Sequence, residues 1–193
     1  MLQIKRSKSE EGLIAACRKG DSKAQRDIYN KYSPAMFAVC GRYVIELQEA
    51  EDILICGFTK AFQKIDQFKG EGSFEGWVRR TIVNEALTYI RRNKSMYLEV
   101  EIDKAGREPD YQQLNNQLEV EDLQKMIDQL PTGYKTVFNL YAIEGFSHKE
   151  IEGKLGISEN TSKSQLSRAR VYLQKLLLEL ERCEMDNLMS NEW

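Results

Sequence analysis

Apolar residues recur at intervals of three and four along almost the whole of this chain, and alternation with period two scarcely persists over five residues. Such spacing lays one apolar stripe along each α-helix and leaves no strand with a buried face. Only three prolines interrupt it, Pro34, Pro109 and Pro131. The pattern predicts an all-α fold, and 193 residues suffice for one ordinary domain or two small ones.

Capping residues divide the first half into four expected helices before residue 95. Asp21 caps one start, Ser33 followed by Pro34 marks another, and Ser73 opens the last. A helix from about Gln48 to Lys64 sets Ile53, Phe58, Ala61, Phe62 and Ile65 at bundle spacing. Two glycines within residues 66–73 mark a short mobile loop after it. Residues 95–116 lose helical periodicity, gather acids and contain Pro109, as an exposed connector does. The expected organisation is a first domain over 1–95, a flexible linker over 96–116, a second domain over 117–183 and a fraying polar tail over 184–193. Leu118, Leu123, Met126, Ile127 and Leu130 make an amphipathic helix that Pro131 ends, and the next helix runs to Gly145.

Composition excludes several classes. No apolar run approaches the roughly 18 residues of a membrane span, and the basic start MLQIKRSKSEEG has no apolar region behind it, so neither membrane insertion nor a secretory leader is expected. The chain is therefore expected in the cytoplasm, with Cys17, Cys40, Cys56 and Cys183 reduced and either buried or incidental. The net charge of -2 conceals two opposed fields. Residues 77–97 carry five bases against Glu85, whereas residues 99–110 carry five acids against two bases. A cationic segment inside a nearly neutral chain points to an anionic partner for that segment alone.

The strongest local signal is residues 146–177, FSHKEIEGKLGISENTSKSQLSRARVYLQKLL, read as two helices around a three-residue turn. Ser147 with Glu150 forms a capping box, Ile151 and Leu155 supply the buried side, Gly156 permits the turn, and Ser158 caps the second helix. On that helix Leu166, Ala169, Leu173, Leu176 and Leu177 face a core, while Asn160, Lys163, Ser164, Ser167 and Arg168 project outward. Hydroxyls, an amide and cations are the groups that base edges and phosphates bind, so this helix-turn-helix, winged-helix-like but without a wing, is expected to enter the DNA major groove. A second basic helix, SFEGWVRRTIVNEALTYIRRNK, sets Val78, Ile82, Ala86 and Tyr89 on one face and Arg80, Asn84, Leu87 and Arg91 on another, with Phe68 nearby to receive an unstacked base.

In this order the motifs resemble those of a bacterial extracytoplasmic-function (group 4) sigma factor, the two-domain minimal form of the sigma-70 family, over about Leu13 to Leu180. AEDILICGFTKAF (50–62) resembles the helix that docks on the coiled coil of the polymerase β′ subunit, and FKGEGSFEGWVRRTIVNEALTYIRR resembles the segment that melts and reads the −10 element. LPTGYKTVFNLYAIEGFSHKEIEGKLGISENTSKSQLSRAR resembles the −35-reading domain. The resemblance implies −10 contacts by Phe68, Lys69, Arg80, Asn84, Thr88 and Arg91, and −35 contacts by Asn160, Thr161, Lys163, Ser164, Gln165 and Arg168. It implies polymerase contact by Asp52, Ile55, Cys56 and Phe58. The implied partners are core RNA polymerase (β′ coiled coil and β flap), promoter DNA and an anti-sigma factor, with no cofactor. Ile55 and Cys56 stand where Gln and an acid are usual, Ser162 replaces a small aliphatic, and Gln165 stands where Arg is frequent.

Two other classes remain open to the sequence. A plain helix-turn-helix repressor or activator would bind duplex DNA without polymerase. An enzyme has little to stand on, because His148 is the one histidine, the cysteines are scattered and no phosphate-binding glycine loop is present. His148 reads as a surface residue, and no metal is expected from one histidine and four unspaced cysteines.

Overall fold

Side-chain caps fix where the first helices begin. Ser9 accepts from the Gly12 amide and starts α1, Glu10–Arg18. Asp21 accepts from the amides of Lys23 and Ala24 and starts α2, Ser22–Gly41. Then come α3, Leu47–Gln63, a 3₁₀ turn at Ile65–Gln67, and α4, Phe74–Arg92, whose first turn is held by Ser73 Oγ accepting from the Gly76 amide at 3.0 Å. A computed structural model describes residues 9–92 and 120–190, and the chain divides into two compact units, Met1–Tyr89 and Ile90–Trp193. That division falls within α4. The expected linker and Leu118 lie outside the described residues.

In the first unit α2 packs on both α1 and α3. Pro34 does not start a helix but lies inside α2, where it forfeits one backbone bond. Burial of Tyr32, Met36, Val39 and Cys40 on either side of it requires one unbroken helical phase, and that burial outweighs the lost bond. The α4 core face is wider than one stripe, since Val78, Ile82, Val83, Ala86, Leu87 and Ile90 are all buried. Leu87 therefore belongs to the core and not to the outward basic face expected from its register. Ile53, Phe58, Ala61 and Ile65 are buried as their spacing predicts, with Phe62 half-buried at the edge.

The second unit contains α5, Val120–Asp128, α6, Thr132–Phe138, and a π-helical turn at Asn139–Ile143 in place of the last part of the single helix expected up to Gly145. Gly145, at φ +75°, ends it. Next are α7, His148–Leu155, and α8, Glu159–Ser190, against which α5, α6 and α7 all pack. Ile127, Leu130, Tyr134 and Ala169 form a core joined by Phe138 and Leu173. Leu123, expected in that core, is exposed, because Met126 and Ile127 already occupy the buried face of the short α5 and Leu130 follows just beyond its end. The backbone of α8 stays helical through Ser190, past the point where a fraying tail was expected, since no glycine or proline follows Gly156 to break it. Among the described residues there is no strand.

Candidate nucleic-acid interfaces

The helix-turn-helix is built from its caps. Ser147 Oγ accepts from the Glu150 amide, while the Glu150 carboxylate accepts from the Ser147 amide at 2.8 Å, so both ends of the capping box close. Gly156 at φ +71° turns the chain through a left-handed conformation that side chains disfavour. Ser158 Oγ then accepts from the Thr161 amide at 3.0 Å and begins α8. Asn160, Thr161, Lys163 and Ser164 stand exposed on its first turns. Lys163 pairs with Glu159 at 2.7 Å, and that cation holds the Glu159 carboxyl below its usual range. Gln165 and Arg168 are half-buried, with Gln165 Oε1 and Arg168 Nε shielded from solvent and lacking hydrogen-bond partners.

His148 departs from its expected surface role, and its partner is Ser162. Ser162 is fully buried and bonds to Nδ1 of His148 at 2.9 Å. The His148 ring also stacks on Tyr141, with centroids 4.5 Å apart and planes at 21°. Burial, followed by the Lys163 cation, holds the imidazole below its ordinary pKa. His148 is thus an internal link of the motif.

A second polar surface lies between α3 and α4, as a groove of about 410 Å³ lined by Lys60, Lys64, Gln67, Trp77, Arg80, Thr81, Asn84, Glu85 and Thr88. Arg80 and Asn84 are exposed along it, and Thr88 Oγ1 donates to the Asn84 carbonyl at 2.8 Å. Glu85, nearly buried, forms an ion pair with Lys60 across the two helices. Arg91 is exposed in the last turn of α4, and Lys69 in the loop before it. Phe68 is no surface acceptor for a base: its ring is 7% exposed, edge-on to Phe74 at 5.2 Å and against Trp77 at 5.7 Å. An apolar ring in an irregular loop gains more from that aromatic cluster than from water. Arg18 Nη2 donates to the Phe68 carbonyl at 2.5 Å and so ties the loop to α1.

On α3 the structure exposes Asp52, Ile55 and Cys56 but buries Phe58, which packs edge-on against Tyr29 at 4.9 Å. Phe58 lies beneath that exposed face and is not part of it. Beside Ile55 runs a groove of about 320 Å³ lined by Tyr29, Ser33, Pro34, Phe37, Glu51 and Leu54. Sequence reasoning missed this groove, because it depends on two helices meeting. It also missed Lys60, Lys64 and Trp77, although Trp77, Thr81, Asn84 and Thr88 follow one another at helical spacing and so share one side of α4.

Two helical units, one of them a capped helix-turn-helix with a polar outer face, have the build of a DNA-binding protein. The sigma-70 region 2 model matches residues 28–96 and the sigma-70 region 4 model matches residues 120–173. Across 86% of this chain and 96% of the relative, 31% of residues are identical to the ECF RNA polymerase sigma factor SigW of Bacillus subtilis (strain 168). The RNA polymerase sigma-H factor of Pseudomonas aeruginosa is 25% identical over 90% of this chain and 96% of its own. A solved complex, the sigma factor RpoE with the anti-sigma factor NepR from Bartonella quintana, matches at 25% identity and a TM-score of 0.48, over 80% of this chain and 96% of that one. The chain belongs to the sigma-70 family, in its ECF branch. It thereby joins the factors of promoter-specific transcription initiation. Among the described residues no helix is long and apolar enough to cross a membrane.

Proposed function

We propose that this chain binds core RNA polymerase and directs it to promoters by reading a −35 element with α8 and a −10 element with the groove of α4, where it also assists melting. The observation that carries this reading is the pair of polar surfaces, one on each unit. Asn160, Thr161, Lys163 and Ser164 offer donors and acceptors at the mouth of a helix-turn-helix, with Gln165 and Arg168 behind them. Lys60, Lys64, Arg80, Asn84 and Thr88 offer cations and an amide beside the half-buried indole of Trp77, a combination suited to a separated strand. Arg91 extends the cationic face, and Lys69 presents a further cation in the loop.

Polymerase docking falls to Asp52, Ile55 and Cys56, with the apolar groove against Tyr29 and Phe37 taking side chains of the β′ coiled coil. The second unit would sit on the β flap, and an anti-sigma factor would compete for these faces. Each good base contact is worth about 1–3 kcal/mol, and two modest contacts become tight once both are held on one polymerase. The free protein should therefore bind promoter duplex poorly.

The test is gel filtration of the protein with bacterial core RNA polymerase, followed by transcription from a promoter library in the same mixture. Co-elution with promoter-dependent transcripts is expected. Tight duplex binding by the free protein, with no co-elution and no transcripts, would replace this reading with that of a repressor or activator.

A further inference from the structure

Ser162 lies in the first turns of α8 between the exposed Thr161 and Lys163, yet its own side chain is fully buried. A buried hydroxyl is costly unless it is bonded, and an aliphatic side chain of similar size would fill the same space without that cost. The bond it makes, 2.9 Å to Nδ1 of His148, joins the first residue of α7 to α8. His148 is not free to swing away, because its ring stacks on Tyr141 of the π-helical turn. Aliphatic packing tolerates rotation, whereas a hydrogen bond weakens steeply off its axis. The stacked and bonded series Tyr141, His148, Ser162 therefore fixes the rotation of α8 about its own axis at the end that carries the exposed polar groups.

We infer that His148 is a positioning residue for promoter reading: through Ser162 it sets the pose of Thr161, Lys163 and Ser164 against the bases of the −35 element. This inference rests on the proposed reading of α8. A rotation of about 10° moves a side-chain tip, on a radius of about 5–6 Å, through about 1 Å. That displacement exceeds the roughly 0.5 Å window of a good hydrogen bond. From α8, Lys163, Glu159 and Arg170 bear on the imidazole. Burial, Lys163 and Arg170 lower its pKa and Glu159 raises it, so the neutral ring is the species that bonds Ser162 at neutral pH.

The test uses the full chain with bacterial core polymerase on a promoter library randomised across the −35 element over a fixed −10 element, with transcripts sequenced. His148→Phe keeps a ring to stack on Tyr141 and removes the bond, whereas His148→Asn keeps a hydrogen-bonding group near the Nδ1 position. His148→Phe should flatten the −35 base preference by about fivefold, the equivalent of one hydrogen bond, and His148→Asn should restore most of it. A purely structural role would lower output from every sequence alike and leave the ranking intact. Should His148→Phe fail to fold, Ser162→Val, which has no hydroxyl to satisfy, must flatten the preference in the same way. An unchanged preference in these variants, or one lost equally in His148→Asn, overturns the inference. If the wild-type holoenzyme enriches no −35 sequence at all, the reading of α8 fails with it.

Discussion

At Gly57 the backbone of α3 lies against Ile82 of α4, and replacing the glycine with alanine tests whether that approach is as tight as the structure places it. A Cβ at Gly57 would lie 2.3 Å from Ile82 Cδ1 and 3.3 Å from both Cα and Cγ1 of Ile82. Carbon atoms in contact prefer about 3.5–4.0 Å, and Ile82 is fully buried, so its side chain has no open space to retreat into. Helix propensity alone would favour the alanine by about 0.5–1 kcal/mol. Overpacking of a filled core costs about 1–3 kcal/mol. Gly57→Ala should therefore destabilise the first unit by about 0–2.5 kcal/mol net, with the centre of that range near 1. Ile82→Val removes the offending Cδ1 and by itself costs about 0.5–1.5 kcal/mol. Combined, the alanine methyl occupies part of the vacated space, and the double variant should be more stable than the summed losses of the two single variants predict, by about 1 kcal/mol or more. Urea unfolding followed by Trp77 fluorescence, in a Trp193→Phe background, reports on this core because Trp77 sits against Phe68 and Phe74. Additive effects, or a Gly57→Ala variant more stable than wild type, would refute the close approach.

Three further outcomes are expected. Ser147→Ala opens the capping box and should cost about 1 kcal/mol, read as roughly fivefold faster hydrogen exchange of the α7 amides with other helices unaffected. Because His148 in the folded protein has a pKa below 6.5, the unfolded chain takes up the proton first. Stability of the second unit should fall as pH drops below that value and level off beneath the folded pKa, and the decline should be missing from His148→Asn in urea titrations across that range. Arg18→Ala removes the bond to the Phe68 carbonyl and the 4.0 Å pairing with Asp66, so trypsin should cut at Lys69 about fivefold faster. An unchanged cleavage rate would show that Arg18 does not hold the loop.

What the sequence made legible was local. Asp21, Ser73, Ser147 and Gly156 announce their roles because a cap or a left-handed turn is decided within four residues. Apolar periodicity fixed the core faces of α3 and α7, and the exposed polar turn at the start of α8. It failed where neighbours decide the outcome. Pro34 reads as a helix start until the burial on both sides of it is known, Leu87 reads as outward until α4 is seen to be covered on most of its circumference, and Leu123 reads as inward until α5 proves too short to need it. Phe58 reads as a surface residue by resemblance and Phe68 by its place in the loop as well, and packing draws both inside. Ser162 and His148 are ordinary residues in sequence, and only two helices brought together make them a pair.

The π-helical turn at Asn139–Ile143 carries one more residue than an α-helical turn would need. The Glu144 amide donates back to the Asn139 carbonyl at 2.9 Å, and the chain then reaches Gly145 with Tyr141 beneath the imidazole of the next helix. Loss of a single codon in this stretch would tighten the turn to α geometry and rotate everything after it by about 100°. Tyr141 would leave the ring it supports. The distance along the chain from the end of α6 to α8 is thus counted to the residue, so that a length change harmless in a surface loop would here displace the exposed polar turns that open α8.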